Sequence, residues 1–302
     1  MTEPAEDMLS RLSKALAARA AAAGPLVASV AVRGRERLSG TLWRQGLVVV
    51  SEQALPRRFD EAEVRLADGR RLDARLAGRD PATNVALLRV GEAAAPAWSP
   101  AADPQPGALA MTLGVDGAGA SSVRVGAIRH VGPEWHSRAG GRIDRRIMLD
   151  LRIEPSEEGG PVIDMTGGLL GISTLGPRRR LLVIPTATVE RVLEPLAHNG
   201  RIARGWLGVA VQRVTVPEEL RAAAGQTEGL MALAVAENGP AAAAGVLMGD
   251  ILVALDGTGL TGMTRLAGLL GAEAVGKRFA LRLIRAGAVH SVEVTIAERP
   301  SQ

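Results

Sequence analysis

Hydrolytic chemistry needs either a nucleophile with a paired base or two opposed acid/base groups, and the residues able to supply them are sparse in this chain of 302 residues. The densest group is Ser156-Glu157-Glu158, framed by Pro155 and Gly159-Gly160-Pro161. Two carboxylates hydrolyse a bond only at a set separation, and the nearest other acids, Asp150 and Asp164, are single residues in strand-like sequence. An acidic turn is the plainer reading. The four histidines, His130, His136, His198 and His290, are scattered, and a Ser156 hydroxyl without an imidazole beside it stays un-ionised at neutral pH. No cysteine is present, which excludes thiol nucleophiles, disulfides and thiolate metal sites. A metal set built from Glu158, Gln53 and a distant histidine is poor, because an amide is a weak zinc ligand and no histidine spacing motif exists. Neither metal nor cofactor is expected.

The net charge of +4 rests almost wholly on arginine, since Lys14 and Lys277 are the only lysines. These arginines are interleaved with Asp and Glu, and aromatic residues make up only 2% of the chain, so the basic stripe with stacking rings that a nucleic-acid surface needs is missing. Arg178-Arg179-Arg180 is the one compact run, suited to an acidic partner or to Glu158 itself, and otherwise a solvated loop.

The elements that must position these residues read as short strands. Leu26–Val32, Leu38–Trp43, Leu47–Ser51, Ala62–Ala67, Arg71–Ala77 and Val85–Val90 alternate without intervening helices, the pattern of a small closed barrel, with an open sandwich as the alternative. After the Ala/Pro-rich stretch Glu92–Gly107 comes a second series: Leu109–Leu113, Val123–His130, Arg146–Leu151, Pro161–Ile163, Leu169–Thr174 and Leu181–Ile184. Thr188–His198 has Val189, Val192, Leu193 and Leu196 on one helical face and Asn199-Gly200 as its stop. The last hundred residues give strands at Leu207–Val211, Met231–Val235, Ile251–Leu255, Phe279–Arg285 and Ser291–Ile296, with helices near Ala241 and over Thr264–Leu270. Ahead of all this, Glu6–Ala23 spaces Met8, Leu12 and Leu16 as a helix, stopped by Gly24-Pro25.

In this order, Gly78-Arg79-Asp80-Pro81-Ala82-Thr83 with Val85–Val90, Gly159-Gly160-Pro161, Gly171-Ile172-Ser173-Thr174, Val183-Ile184-Pro185, Arg204-Gly205-Trp206-Leu207-Gly208, Gly239-Pro240-Ala241 and Gly249-Asp250-Ile251-Leu252 resemble the HtrA/Deg serine proteases over Leu26–Arg299. The resemblance implies a mainly β fold, a trypsin-like double six-stranded β-barrel followed by a PDZ domain of strands with two helices. It divides the chain into an N-terminal helical segment at 1–25, a protease-fold domain at 26–198 with barrels at about 26–95 and 108–186, and a PDZ domain at 203–299.

The family's catalytic positions fall on residues unable to cut a peptide. Its histidine follows a Gly-Leu-Ile-Val strand, and Gly46–Ser51 leads here to Gln53. Its aspartate follows the Asp-Pro-Ala-Thr turn, where Asn84 stands. Its nucleophile is replaced by Glu158, whose carboxylate is expected beside the oxyanion-stabilising amides and so to oppose a tetrahedral intermediate. The reading is a pseudoprotease that binds polypeptides as a scaffold, adaptor or chaperone-like factor. The alternative is an active endopeptidase with an unconventional site using Ser156.

A PDZ domain takes an extended peptide as an added strand and its terminal carboxylate on a loop of backbone amides. The resemblance gives the loop to Gly205, Trp206, Leu207 and Gly208, the pairing strand to Val209 and Val211, and the last side chain's pocket to Leu207, Val209 and the Thr264–Leu270 helix. Arg204 assists the carboxylate. Implied partners are protein C-termini, further copies of the chain or active paralogues in mixed assemblies. The aromatics expected at a trimer contact are not evident before Trp43. The apolar stretch Ala20–Val32 follows Glu3, Glu6 and Asp7 rather than a basic run and falls short of transmembrane length, which points to the cytoplasm; the family resemblance points instead to the periplasm.

Overall fold

The computed structural model describes residues 3–300 apart from Arg35, Ala95 and Arg138. Met1 and Thr2 of the expected N-terminal segment, and Ala95 at the end of the first expected barrel, therefore lie outside the described residues. The chain divides into two compact units, one of residues 1–135 with 143–201 and one of residues 202–302 with 136–142.

The first unit opens with helix α1 (Glu3–Ala23), twenty-one residues rich in alanine, which passes into a 3-10 turn at Gly24-Pro25-Leu26. Its expected apolar stripe is covered only in part: Leu16 is half-buried, but Met8 is 67% exposed and Leu12 49%. Six strands follow, β1 (Val27–Ala31), β2 (Leu38–Arg44), β3 (Leu47–Ser51), β4 (Glu61–Leu66), β5 (Arg71–Asp80) and β6 (Val85–Val90). They close in the order β1-β2-β3-β6-β5-β4, so every edge is paired and the open sandwich is excluded. Inward residues Ala28, Val30, Val48, Val50, Val64 and Leu88 fill this barrel.

The second barrel uses β7 (Leu109–Val115) and β8 (Ser121–Gly132), then, beyond the short ladder of β9 (Trp135–His136) and β10 (Arg142–Ile143), β11 (Arg146–Arg152), β12 (Pro161–Asp164), β13 (Leu169–Leu175) and β14 (Arg180–Pro185). It closes as β11-β14-β13-β12-β7-β8 around Ile128, Leu149, Val162, Leu181 and Val183. Helix α2 (Thr186–Asn199) buries Val189, Val192, Leu193 and Leu196 and ends on Gly200 in the left-handed region, φ 71°. It packs on β5, β6, β13 and β14, and so fixes the two barrels against each other.

The second unit contains β15 (Gly205–Trp206), β16 (Val209–Thr215), α3 (Glu218–Ala224), β17 (Glu228–Val235), α4 (Pro240–Ala243), β18 (Ile251–Leu255), β19 (Thr258–Gly259), α5 (Met263–Leu269), β20 (Arg278–Arg285), β21 (Ala288–Thr295) and β22 (Ala297–Glu298). Its main sheet runs β16-β17-β18-β20-β21, which leaves β16 at an edge beside α5. The single strand expected over Leu207–Val211 is broken. Gly208 adopts φ 79°, so Gly205–Trp206 pairs with β22 while Val209 onward pairs with β17. Helix α3, absent from the sequence reading, starts after Pro217 with two acids in its first turn and stops on left-handed Gly225. Among the described residues no helix is long and apolar enough to cross a membrane.

Candidate functional site

Gln53 sits on the 3-10 turn Glu52–Ala54 that ends β3. Arg79 of β5 holds that turn by donating to Glu52 Oε1 at 2.9 Å and to the Pro56 and Arg57 carbonyls at 3.0 and 3.1 Å. The turn before β6 is closed by buried Asp80, which accepts from the Thr83 hydroxyl at 2.7 Å and from the amides of Ala82 and Thr83 at 3.2 Å. Asn84 then takes a left-handed conformation, φ 59°, which asparagine tolerates better than most residues. Its Oδ1 accepts the Gln53 amide at 2.7 Å, and its Nδ2 donates to Ser51 Oγ at 3.1 Å and Thr174 Oγ1 at 2.6 Å.

Across the cleft, loop 154–160 is built from glycine geometry and buried hydroxyls. Gly159 has φ 90°, and a Cβ on Gly160 would lie 2.0 Å from the Leu113 carbonyl, so glycine is required at both. Ser39 donates to the Ser156 carbonyl at 2.7 Å, Ser173 to the Glu157 carbonyl at 2.7 Å and Thr41 to the Gly159 carbonyl at 2.8 Å. Glu157 turns into the second barrel, where Arg124 Nε bridges both of its oxygens at 2.8 and 2.9 Å, Ser122 donates to Oε1, and the Glu154 amide donates to Oε2 at 2.7 Å. Burial alone raises a carboxyl pKa, but these donors outweigh it and hold Glu157 below its usual range, while the same bond raises Arg124.

Glu158 is 3% exposed. Its Oε2 accepts from Gln53 Nε2 at 2.6 Å, Ser51 Oγ and Thr174 Oγ1 at 2.9 Å, and the Leu175 amide at 3.1 Å. Gln53, Asn84 and Glu158 are thus brought into one network, in which Asn84 donates to two hydroxyls that donate in turn to Glu158. One feature departs from expectation. The carboxylate points to Thr174 and Leu175 rather than into the loop's own amides, and the Glu158 amide donates to the Pro155 carbonyl at 3.3 Å in the 3-10 turn Pro155–Glu157. That amide is occupied by backbone, not by a side-chain anion.

The other candidates stand apart. Arg179 pairs with Glu154 at 2.5 Å and Arg180 with Asp150, so the arginine run does not reach for Glu158. Asp164 closes its own turn with Thr166 and Gly168. Ser156 is buried, and Ser51, the hydroxyl on Glu158, is fully buried. His198 lies on the Glu194 carbonyl at 3.0 Å, His290 faces Leu283 in the β20-β21 ladder, and His130 and His136 fall on β8 and β9. Ser51, Thr174, Ser122 and Arg124 were missed by the sequence reading. Ser51, two residues before Gln53, was the only one with a local signal.

In the second unit the Leu207 and Gly208 carbonyls accept from the amides of Ala241 at 2.9 Å and Ala236 at 2.8 Å, which fixes the turn ahead of β16. Val209 and Val211 are half-buried beside Leu266 and Leu270. Leu207, 1% exposed, fills the core rather than walling a pocket. Trp206 pairs with Ala297, and the Gly205 amide donates to the Leu270 carbonyl at 2.9 Å. Arg204 reaches the Gly140 carbonyl at 3.4 Å, and its own carbonyl accepts from Arg299.

Residues 38–172 match the family model described as a trypsin-like peptidase domain, and residues 205–296 match that described as a PDZ domain. A relative from Brucella suis, described as a probable periplasmic serine endoprotease, DegP-like, is 29% identical over 282 residues, covering 87% of this chain and 53% of the relative. The chain therefore spans about half the length of that relative. The crystal structure of the serine endoprotease from Yersinia pestis superposes with TM-score 0.74 at 25% identity, over 93% of this chain and 97% of the other. The HtrA-type protease AlgW with a tripeptide gives TM-score 0.74 at 25% identity, over 95% and 98%. The expectation of a cytoplasmic location is overturned by the relatives, which are named as periplasmic.

Proposed function

We propose, on the premise that the chain belongs to the HtrA/Deg family of trypsin-like proteins with a PDZ domain, that it is a non-cutting member that binds polypeptides, and that it works in the periplasm. The observation that carries this reading is the hydrogen bond from Gln53 to Glu158. Peptide cleavage needs a hydroxyl whose proton passes to an imidazole oriented by a carboxylate. At the corresponding positions stand a carboxylate, an amide and a second amide: Gln53 Nε2 donates to Glu158 Oε2, Asn84 Oδ1 accepts the Gln53 backbone amide, and Asn84 Nδ2 donates to Thr174.

The network also spans the barrels. Ser51, Gln53 and Asn84 belong to the first, and Glu158, Thr174 and Leu175 to the second. Five side-chain hydrogen bonds across the cleft make the vacated centre a cross-link rather than an open groove. Binding is left to the PDZ unit, whose edge strand β16 offers a ladder to an extended chain.

The test uses the whole protein with fluorescein-labelled peptides that end in a free or an amidated carboxyl, beside a fluorophosphonate probe for activated serine. The reading expects the free-ended peptides to bind better and no labelling. Labelling that disappears in Ser156→Ala, or no peptide binding at all, overturns it.

A further inference from the structure

The first unit contains a crevice of about 520 Å³, within the range of small-molecule sites, roughly 300–1,000 Å³. It lies between the end of α1, the β4-β5 turn and the β7-β8 hairpin. Ala21, Val27, Leu66, Leu113 and Val123 make it largely apolar. Its far wall backs onto the loop of the vacated centre, because Gly114 stands against the Glu157 backbone and Ser122 donates to the Glu157 carboxylate.

The charge at its rim is uneven. Arg37 is neutralised by Glu63 at 3.1 Å and also donates to Ser29 at 3.3 Å. Arg65, which lines the crevice and is half-buried, donates to the Gly119 carbonyl and has no carboxylate partner among the described residues. A half-buried guanidinium presents several N–H donors, of which one carbonyl satisfies only part, and it pairs best with a planar carboxylate. Ser29 and Ser121 add hydroxyls on the same lining.

We propose that this crevice binds a single-chain anionic amphiphile, its alkyl chain along Val27, Leu113 and Val123 and its carboxylate on Arg65. Apolar area supplies the affinity and the guanidinium selects the head group. The occupant is a small molecule rather than a peptide strand, since β1 and β4 already pair on both sides in the closed barrel and offer no free ladder.

The probe is dansyl-labelled undecanoic acid, displaced by dodecanoate or dodecanol below their micelle concentrations, with the intact protein and three variants. Ala21→Trp and Val123→Trp fill the crevice from exposed positions, so the fold tolerates them, as melting curves will verify. Saturable binding is expected in the native protein and is lost in both. Arg65→Ala is expected to weaken dodecanoate about tenfold and leave dodecanol unchanged, the loss of one charge-assisted pair. Absence of saturable displacement, or binding unaffected by both tryptophans, overturns the site. Equal loss of dodecanoate and dodecanol in Arg65→Ala overturns the role given to the carboxylate.

Discussion

Gln53 Nε2 lies 2.6 Å from Glu158 Oε2, so the two residues that the family resemblance assigns to the base and nucleophile positions are bonded directly to each other. The carboxylate charge is shared with three further neutral donors and is in no ion pair among the described residues, which makes the contact sensitive to the polarity of each partner.

Removing the acceptor leaves buried donors without a partner. Glu158→Ala is expected to cost about 2–3 kcal/mol, more than Gln53→Ala at about 1 kcal/mol, because the former takes the acceptor from two buried hydroxyls and a backbone N–H while the latter removes one donor of four. Urea unfolding of the intact protein measures both. Equal costs would mean that the network does not centre on Glu158.

Gln53→Glu sets two carboxylates in contact, which cannot both stay ionised. One acquires a folded-state pKa above its unfolded value. Its stabilising protonated form is then complete below the unfolded pKa and lost as pH rises through the folded one. The variant should therefore be most destabilised at neutral pH and approach the native protein in acid, as read from midpoints taken from pH 4 to 8. A pH-independent deficit would contradict the direct contact.

Glu157 behaves in the opposite sense. Its folded pKa is depressed by Arg124, Ser122 and the Glu154 amide against the effect of burial, so its contribution is present above the unfolded carboxylate pKa and is lost as pH falls through the folded value. Arg124→Ala should cost about 2 kcal/mol at neutral pH, less than a fully buried pair because the Arg124 side chain is 39% exposed, and should flatten that acid loss. A variant as stable as the native protein would show that loop 154–160 does not depend on the pair.

Both barrels were legible in the sequence because alternation and turn residues mark each strand, and a closed barrel needs only that. The broken PDZ strand was not, since Leu207–Val211 alternates well and only the left-handed Gly208 divides it. Helix α3 carried its signals at Pro217 and Gly225 but spans only seven residues, too few for a periodic face. At the centre, the identities of Gln53, Asn84 and Glu158 were readable. The direction of Glu158 was not, because it is set by Ser51 and Thr174, which meet it only when the barrels close. The capture of Glu157 by Arg124 likewise joins residues from separate strands of the second barrel.

Gly208→Ala tests the binding half of the account. Its φ of 79° is unfavourable for a residue with a side chain, and a Cβ would lie 3.1 Å from Gly239 Cα, so the loop ahead of β16 must shift. A loss of roughly tenfold in peptide affinity for about 1–2 kcal/mol of strain is expected, with the barrels' melting unchanged. Unaltered affinity would remove this loop from the ligand site.

The most direct test of the central claim is a time course of unfolded casein with the protein in excess, run beside Glu158→Ser and Ser156→Ala. With no imidazole at position 53, all three should leave casein intact over days. Cleavage by the native protein that Ser156→Ala abolishes would show an active endopeptidase and contradict the account.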